Sequence, residues 1–268
     1  MSGAFIKMHG LGNDFVVIDA RDQAVAMTSA RVRAIADRYT GIGCDQLILV
    51  EPSAIADVRM RIWNADGGEV ASCGNATRCV AQLVGGAASI ETAGGVLSAA
   101  SNGALVSITF PEPRFDAADI PLAYAMDTAA MPVAWEDLTE PMAVNVGNPH
   151  IVFFVADVEA VDLERLGPLI EHDALFPERI NVNIASVTGG ASLRLRVWER
   201  GSGETRACGT GAVASAVCAI RSRRCIGPLT VTLPGGDLLI DWAGSGGVTM
   251  HGPATEVYRG QADWADFG

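Results

Sequence analysis

Cys73-Gly74-Asn75-Ala76-Thr77-Arg78-Cys79-Val80-Ala81 opens on a cysteine and a glycine and runs straight into an alanine- and valine-bearing helical pattern. Cys208-Gly209-Thr210-Gly211-Ala212-Val213-Ala214 does the same. The separation, 208 − 73 = 135, is about half of the 268-residue chain. The same offset lays Arg61-Ile62-Trp63-Asn64 on Arg196-Val197-Trp198-Glu199, Glu69 on Glu204, and Gly12-Asn13 on Gly147-Asn148. So many landmarks matching without a gap mark two copies of one unit. Each copy sets a cysteine at the start of a helix, so the fold can present two thiols to one another across a pseudo-twofold cleft. Two facing thiols can work on the two faces of one carbon atom.

The chain is long enough for two medium domains, and 49% hydrophobic residues provide the material for two cores. A formal net charge of −12 disfavours nucleic acid and anionic membrane surfaces, which demand clustered Lys and Arg; a small molecule is the expected partner. No secretory signal precedes Phe5 and no apolar run approaches the roughly 18 residues that span a bilayer, so a cytoplasmic location is expected. Six cysteines without such a signal suit catalysis or burial better than a disulfide framework. The spacings Cys73 to Cys79 and Cys218 to Cys225, with only four histidines, do not match a zinc site, and no metal is expected.

In the first copy, short β-rich runs fall at 5–8, 15–19, 46–50, 58–63, 89–92 and 104–110. A helix is expected from Ser29, as N-cap, to Tyr39. A buried one follows from Gly74 to Val84, closed by Gly85-Gly86. The stretch from Pro111 to Pro132 carries four prolines and reads as a linker. In the second copy, strands at 142–146, 151–156, 181–187 and 193–198 precede a buried helix from Gly209 to Arg224. Strands at 229–233, 238–241 and 248–251 complete it. A last strand, Thr255 to Tyr258, has no counterpart there and is expected to return to the first domain. The domains are thus 1–115, with the returning segment 252–268, and 116–251. The fold class is α/β (α+β): two pseudo-symmetric domains of related fold, each a mostly antiparallel strand barrel wrapped around a buried helix, with the active site in the cleft between them.

A free thiol has a pKa near ~8.5, falling to about 3.5–7.5 at helix N-termini or beside cations. Cys73 and Cys208 sit where that fall is expected. The unpaired first-turn amides of Gly74 and Asn75, or of Gly209 and Thr210, can hold a thiolate or a bound carboxylate. If both sulfurs share a pocket, ionising one opposes ionising the other, so the resting pair is one thiolate and one thiol. That is the state a two-base racemase or epimerase requires, with no cofactor needed if the carboxylate is well held. Cys44, Cys79, Cys218 and Cys225 read as packing or surface residues.

These residues resemble the diaminopimelate epimerase family along essentially the whole chain. The matching segments are Met8 through Phe15, Gly43-Cys44-Asp45-Gln46, Asn64-Ala65-Asp66-Gly67 leading to Cys73-Gly74-Asn75, Asn148-Pro149-His150, Asn181-Val182-Asn183, and Glu199-Arg200-Gly201 leading to Cys208-Gly209-Thr210-Gly211. Ala76 stands where the family usually has a third glycine. The resemblance implies a PLP-independent, homodimeric epimerase interconverting LL- and meso-diaminopimelate on the route to lysine and peptidoglycan. By motif match, Cys73 and Cys208 become the two acid/bases. Gly74, Asn75, Gly209 and Thr210 bind the reacting carboxylate, and Asn13, Gln46, Asn64, Asn148, Asn181, Glu199 and Arg200 are the other substrate ligands. His150 and Glu199 assist proton traffic, and Tyr258 helps form the subunit interface. The alternatives are a proline racemase relative, which would follow the first cysteine with Gly-His where this chain has Gly74-Asn75, a phenazine-type isomerase, which lacks the paired cysteines, and a non-catalytic amino-acid binding protein, which has no use for two thiols.

Overall fold

The computed structural model describes residues 2–70, 73–103 and 105–267. Two compact units emerge: the chain up to Ile108 together with everything from Gly252 on, and Thr109–His251. The first begins with a hairpin, β1 (Ser2–Gly10) and β2 (Asn13–Asp19), closed by Leu11 and Gly12 at φ 56° and 86°. Two consecutive positive φ values make the type I′ loop whose twist suits antiparallel strands. Then come α1 (Ser29–Ala36), β3 (Gln46–Glu51), β4 (Val58–Asn64), β5 (Glu69–Val70), α2 (Gly74–Val84), β6 (Gly86–Thr92), β7 (Gly95–Ser101) and β8 (Val106–Phe110).

The second unit carries a two-stranded ribbon, β9 (Ala134–Trp135) and β10 (Leu138–Thr139), then β11 (Met142–Asn145), β12 (Pro149–Phe154), α3 (Leu163–Glu171), β13 (Asn181–Gly189), β14 (Ser192–Glu199), β15 (Gly203–Thr205), α4 (Gly209–Arg221), β16 (Leu229–Leu233), β17 (Gly236–Asp241) and β18 (Val248–Gly252). Finally β19 (Thr255–Asp263) pairs antiparallel with β1 in the first unit. No described helix is long and apolar enough to cross a membrane.

Both units are mixed α+β and strand-rich. In the first, β1–β2, β3–β4 and β6–β7 pair antiparallel while β2–β3 and β4–β6 pair parallel. Parallel neighbours need a crossover, and each has one: α1 between β2 and β3, α2 between β4 and β6. In the second unit α3 and α4 do the same for β12–β13 and β14–β16. The two cysteine-led helices are the buried ones. Helix α2 packs on β1 and β2 at one end of its strand row and on β6 and β7 at the other, so the strands curl round it, and α4 packs on β11 through β14, β16 and β17.

The repeat is reproduced to the residue in hydrogen-bond register. Phe15 opposite Gln46 becomes His150 opposite Asn181; Leu47 opposite Trp63 becomes Val182 opposite Trp198; Trp63 opposite Glu69 becomes Trp198 opposite Glu204. The ion pairs Arg61–Glu69 and Arg196–Glu204, each 2.8 Å, occupy matching places. After the helix the offset slips. Val58 faces Ile90, whereas Leu193 faces Val231, and 231 − 90 = 141, so α4 and its exit loop contain six more residues.

Several expectations are corrected. Helix α1 is capped by Thr28, whose Oγ1 accepts from Arg31 N at 3.2 Å, rather than by Ser29. It stops at Ala36, short of Tyr39, because the Asp37 carboxylate takes the amides of Tyr39 and Thr40 into a turn. Helix α4 ends at Arg221 rather than Arg224. Ala104, expected to start a strand, lies outside the described residues; the strand is described from Val106. The proline-rich stretch is no free linker. Ile120 and Met131 lie in the second unit's core, and Arg114 exchanges backbone hydrogen bonds with Asn145 at 2.8 and 2.9 Å, which ties 109–115 to that unit and moves the division ahead of residue 115. Helix α3, strand β7 and the short strands β5, β9, β10 and β15 are not signalled by the sequence. Gly167 and Pro168 interrupt α3's propensity, yet burial of Leu163, Leu166 and Ile170 on one face outweighs it.

The copies differ where the frame is the same. Fully buried Phe15 and Ile48 of the first correspond to fully buried His150 and Asn183 of the second, and Ala76 corresponds to Gly211. A Cβ on Gly211 would lie 2.7 Å from Asn183 Oδ1 and 2.9 Å from Val197 Cγ2, so the polar residue on β13 leaves no room for a methyl at the helix start. Gly211→Ala is therefore expected to lower stability to urea by about 1–3 kcal/mol, although alanine is the better helix former. An unchanged or raised midpoint would show that Asn183 and Val197 give way freely.

Candidate active site

The register decides which side chains meet at each helix start. Asn13 opens β2 and Gln46 opens β3; these strands are parallel, and β4 runs back with Asn64 opposite Gln46, so all three residues fall at one end of the sheet. Helix α2 begins there. Cys73 is its N-cap in extended conformation, and Thr77 N is the first amide to return to it, so the preceding amides project from the first turn. Asn75 Nδ2 donates to Asn13 Oδ1 at 3.2 Å, and Cys73 Sγ lies 3.9 Å from the same oxygen as a donor. Gln46 Nε2 donates to Asn64 Oδ1 at 2.8 Å, while Gln46 Oε1 is buried with no partner among the described residues.

Asn148, Asn181 and Glu199 hold the three matching places in the second unit. Asn181 Nδ2 donates to Pro149 O at 2.8 Å and its Oδ1 accepts Arg200 N at 3.0 Å. Arg200 is exposed and donates one Nη1 bond, 2.9 Å, to Glu178 O. Buried Glu171 steadies its loop by accepting Gly201 N at 2.9 Å and Trp198 Nε1 at 2.7 Å. Cys208 caps α4, with Sγ accepting Gly211 N at 3.4 Å and Thr210 Oγ1 3.6 Å away. Thr205 Oγ1 donates to Glu199 Oε1 at 2.5 Å.

Burial reverses the expected effect of the helix start on Cys208. Desolvation pushes its pKa well above the usual thiol range, the Glu199 charge adds to this, and the Gly211 amide opposes them without prevailing. Glu199 is also raised, first by burial, while hydrogen bonds from Thr205 and Cys208 pull it back. Carboxyl and thiol in direct contact inside the protein thus hold one negative charge between them more easily than two. His150 is fully buried, and burial lowers its pKa from 6.5 to about 3, so the ring is neutral. Its Nδ1 receives Asn183 Nδ2 at 3.1 Å and its Nε2–H donates to Asn148 Oδ1 at 3.0 Å. Both ring nitrogens are engaged by amides, so His150 holds Asn148 in place. Tyr258 sits on β19 opposite Lys7, half exposed, edge-on to Phe5 at 6.0 Å.

Four further residues contribute that sequence patterns do not assign: Asp45, Arg78, Glu171 and Asn183. Arg78 had a signal, a charge inside an otherwise apolar helix, and Asp45 and Asn183 lie within the quoted motifs. Nothing local marks Glu171.

A strand-rich pair of α+β units, each with a thiol at a buried helix start, defines an isomerase of the racemase and epimerase class. The fold recurs in a phenazine biosynthesis protein of the PhzF family from Enterococcus faecalis, with TM-score 0.73 and 15% identity over 98% of this chain and all of that one. It recurs in a probable proline racemase from Agrobacterium radiobacter K84, with TM-score 0.67 and 16% identity over 97% and 92%. The chain belongs to the diaminopimelate epimerase family, whose model matches residues 5–108 and 142–257. Among curated relatives, the diaminopimelate epimerase of Rhizorhabdus wittichii is 64% identical over 100% of this chain and 98% of its own length.

The sign of the pH effect at His150 follows from its lowered value. The unfolded chain takes up a proton near 6.5 and the folded protein only near 3, so folding stability falls as pH drops through that window. As pH falls below 6.5, urea titrations are expected to show wild type losing stability faster than His150→Gln, the excess approaching about 1.4 kcal/mol per pH unit below about pH 5.5. Parallel pH profiles would mean that the imidazole is not held neutral.

Proposed function

We propose that the chain interconverts LL- and meso-2,6-diaminopimelate without a cofactor, as an amino-acid epimerase serving lysine and peptidoglycan synthesis, with Cys73 and Cys208 as its two acid/bases. The observation that carries this reading is the register-matched pair of buried helices, each led by a cysteine and flanked by the same three ligand positions. Two-base chemistry needs each thiol at one face of the α-carbon. The thiolate takes the α-proton, and the opposite thiol delivers its own to the carbanion. First-turn amides of Gly74 and Asn75, and of Gly209 and Thr210, hold the α-carboxylate and stabilise the charge that develops on it.

Glu199 supplies the proton balance on the second side. When Cys208 is to act as base, its proton passes to the neighbouring carboxylate, so the buried pair carries a single negative charge before the α-proton arrives and none after it, until a proton leaves to solvent. The substrate's second amino-acid head needs a carboxylate clamp and an ammonium acceptor. Arg200 is exposed, and its guanidinium has donors beyond the one given to Glu178 O; Gln46 Oε1 is an acceptor without a protein partner. Asn64, Asn148 and Asn181 complete the ligand set. The partner is a small molecule, the assembly a homodimer with Tyr258 near its interface, and the location cytoplasmic.

Cys73→Ala and Cys208→Ala are each expected to cut epimerisation by about 10²–10⁴ or more with the circular dichroism spectrum unchanged. Deuterium incorporation at Cα of LL-diaminopimelate in D2O reads the loss directly, and wild-type exchange and inversion in either variant would remove the two-base reading. Arg200→Lys should raise KM far more than it lowers kcat, because an ammonium cannot reproduce the two-pronged grip on a carboxylate. Equal turnover of alanine and diaminopimelate by the wild type would withdraw that role.

A further inference from the structure

The two capping cysteines occupy equivalent places yet donate to different acceptors. Cys208 Sγ accepts from the Gly211 amide and donates to the Glu199 carboxylate, whereas Cys73 Sγ donates to the side-chain carbonyl oxygen of Asn13. The asparagines that correspond by the repeat explain the difference. Asn148 gives its carbonyl oxygen to His150, while Asn13 turns its carbonyl toward Cys73 and Asn75.

What fixes the Asn13 amide is a chain of side chains with a different kind of group at each end. At one end Arg78, fully buried in α2, donates from Nη2 to Asn75 Oδ1 at 2.8 Å and from Nε to Pro253 O at 3.0 Å. Guanidinium can only donate, so Asn75 must face it with oxygen and offer its Nδ2 onward to Asn13 Oδ1. At the other end Asp45 accepts Asn13 Nδ2 at 3.0 Å and Asp14 N at 3.1 Å, and its second oxygen accepts Arg38 Nη2 at 2.7 Å. A carboxylate can only accept, so Asn13 must face it with nitrogen. An amide can be turned either way round, but with a donor-only cation and an acceptor-only anion at the ends, a single arrangement satisfies every link. Gly10 makes room for the chain: a Cβ there would lie 3.0 Å from Arg78 Nη2 and 3.2 Å from Asn75 Cβ.

We propose that Arg78 and Asp45 are positioning residues that lock the Asn13 carbonyl onto Cys73, and so keep Cys73 protonated as the acid of the resting protein. A thiolate there would face the negative end of the amide dipole, whereas a thiol finds an acceptor; the buried Arg78 charge attracts a thiolate and the Cys79 thiol lies close by, so the amide works against the one and beside the other. Resting on the two-base reading above, this assigns the first turnover from the resting state. The α-proton goes to Cys208, and the Cys73 S–H bond breaks as its proton forms the new C–H bond. Exchange with solvent then restores the Cys73 proton and empties Cys208.

The test follows Cys73 alone, without turnover: its rate of alkylation by iodoacetamide against pH, located by peptide mapping. In an Asn75→Ala background no second amide holds the Asn13 oxygen, and there Asp45→Asn supplies a side chain that can also donate, which lets the Asn13 amide turn its N–H to sulfur. Relative to Asn75→Ala, the alkylation midpoint is expected to move to lower pH, with about tenfold faster reaction at fixed pH for each unit moved. Asp45→Glu in the same background, again acceptor-only, should leave the Asn75→Ala profile in place. With Asn13→Ala also present, Asp45→Asn should produce no shift, because the effect travels through the amide. An equal shift without Asn13 would mean that the Asp45 charge acts on the thiol directly, and an unmoved midpoint on adding Asp45→Asn to Asn75→Ala would mean that it does not act at all; either overturns the proposal. Proton NMR of the wild type gives a second arm that needs no variant. Asn13 Nδ2 protons should show cross-relaxation with Asp14 and none with the Cys73 β-protons, and the reverse pattern refutes the locked orientation. Deuterium exchange into diaminopimelate, measured separately, reports on the epimerase reading, so each can fail without the other.

Discussion

A helix that starts inside a protein leaves its first amides without intrahelical acceptors, and each one left unmet when buried costs about 1–3 kcal/mol. Both central helices here start that way, and the surrounding structure is arranged around the problem. Crossovers bury the helix bodies against the strands, while parallel pairing of β2 with β3 and of β12 with β13 brings strand ends level with the helix starts. Polar side chains gather there because that is where unsatisfied amides lie. In α4 one amide finds Cys208 Sγ itself, and the first-turn amides ahead of it are suited to a carboxylate.

A repeat alone would give two identical half-sites, which suits a symmetric reaction poorly if one thiol must give a proton while the other takes one. The frame is shared, but four substitutions within it break the chemical symmetry: His150 for Phe15, Asn183 for Ile48, Glu199 for Asn64 and Gly211 for Ala76. They are coupled. Asn183 sets the His150 tautomer, His150 takes the Asn148 carbonyl, and the Asn183 side chain demands glycine on the facing helix turn. The first copy keeps apolar packing at those places and orients its asparagine from charged residues instead. Beside it, Lys7 and Arg38 flank Asp14 and hold its carboxyl at about 2, against the cost of burial, so this cluster stays charged across the neutral range.

Local signals carried the sequence reading a long way. A cysteine-glycine pair ahead of an apolar run marks a helix start wherever it stands, the offset of 135 residues located both copies, apolar patterning placed most of their strands, and the family resemblance picked out Asn13, Gln46, Asn64, Asn148, Asn181 and Glu199. What escaped it depends on partners distant in the chain. Arg78 meets Pro253 across 175 residues, and Glu171 meets the Trp198–Gly201 loop across about thirty. Ionisation escaped for the same reason. The helix start alone predicts an acidic Cys208, but packing buries the thiol beside Glu199 and raises it, and the same burial neutralises His150. Sequence determined where the two thiols and the polar side chains at the strand ends fall, because caps, turns and periodicity are set by neighbours. Tertiary structure decided which way each amide faces and which groups can hold charge, because those depend on desolvation and on side chains delivered from elsewhere in the fold.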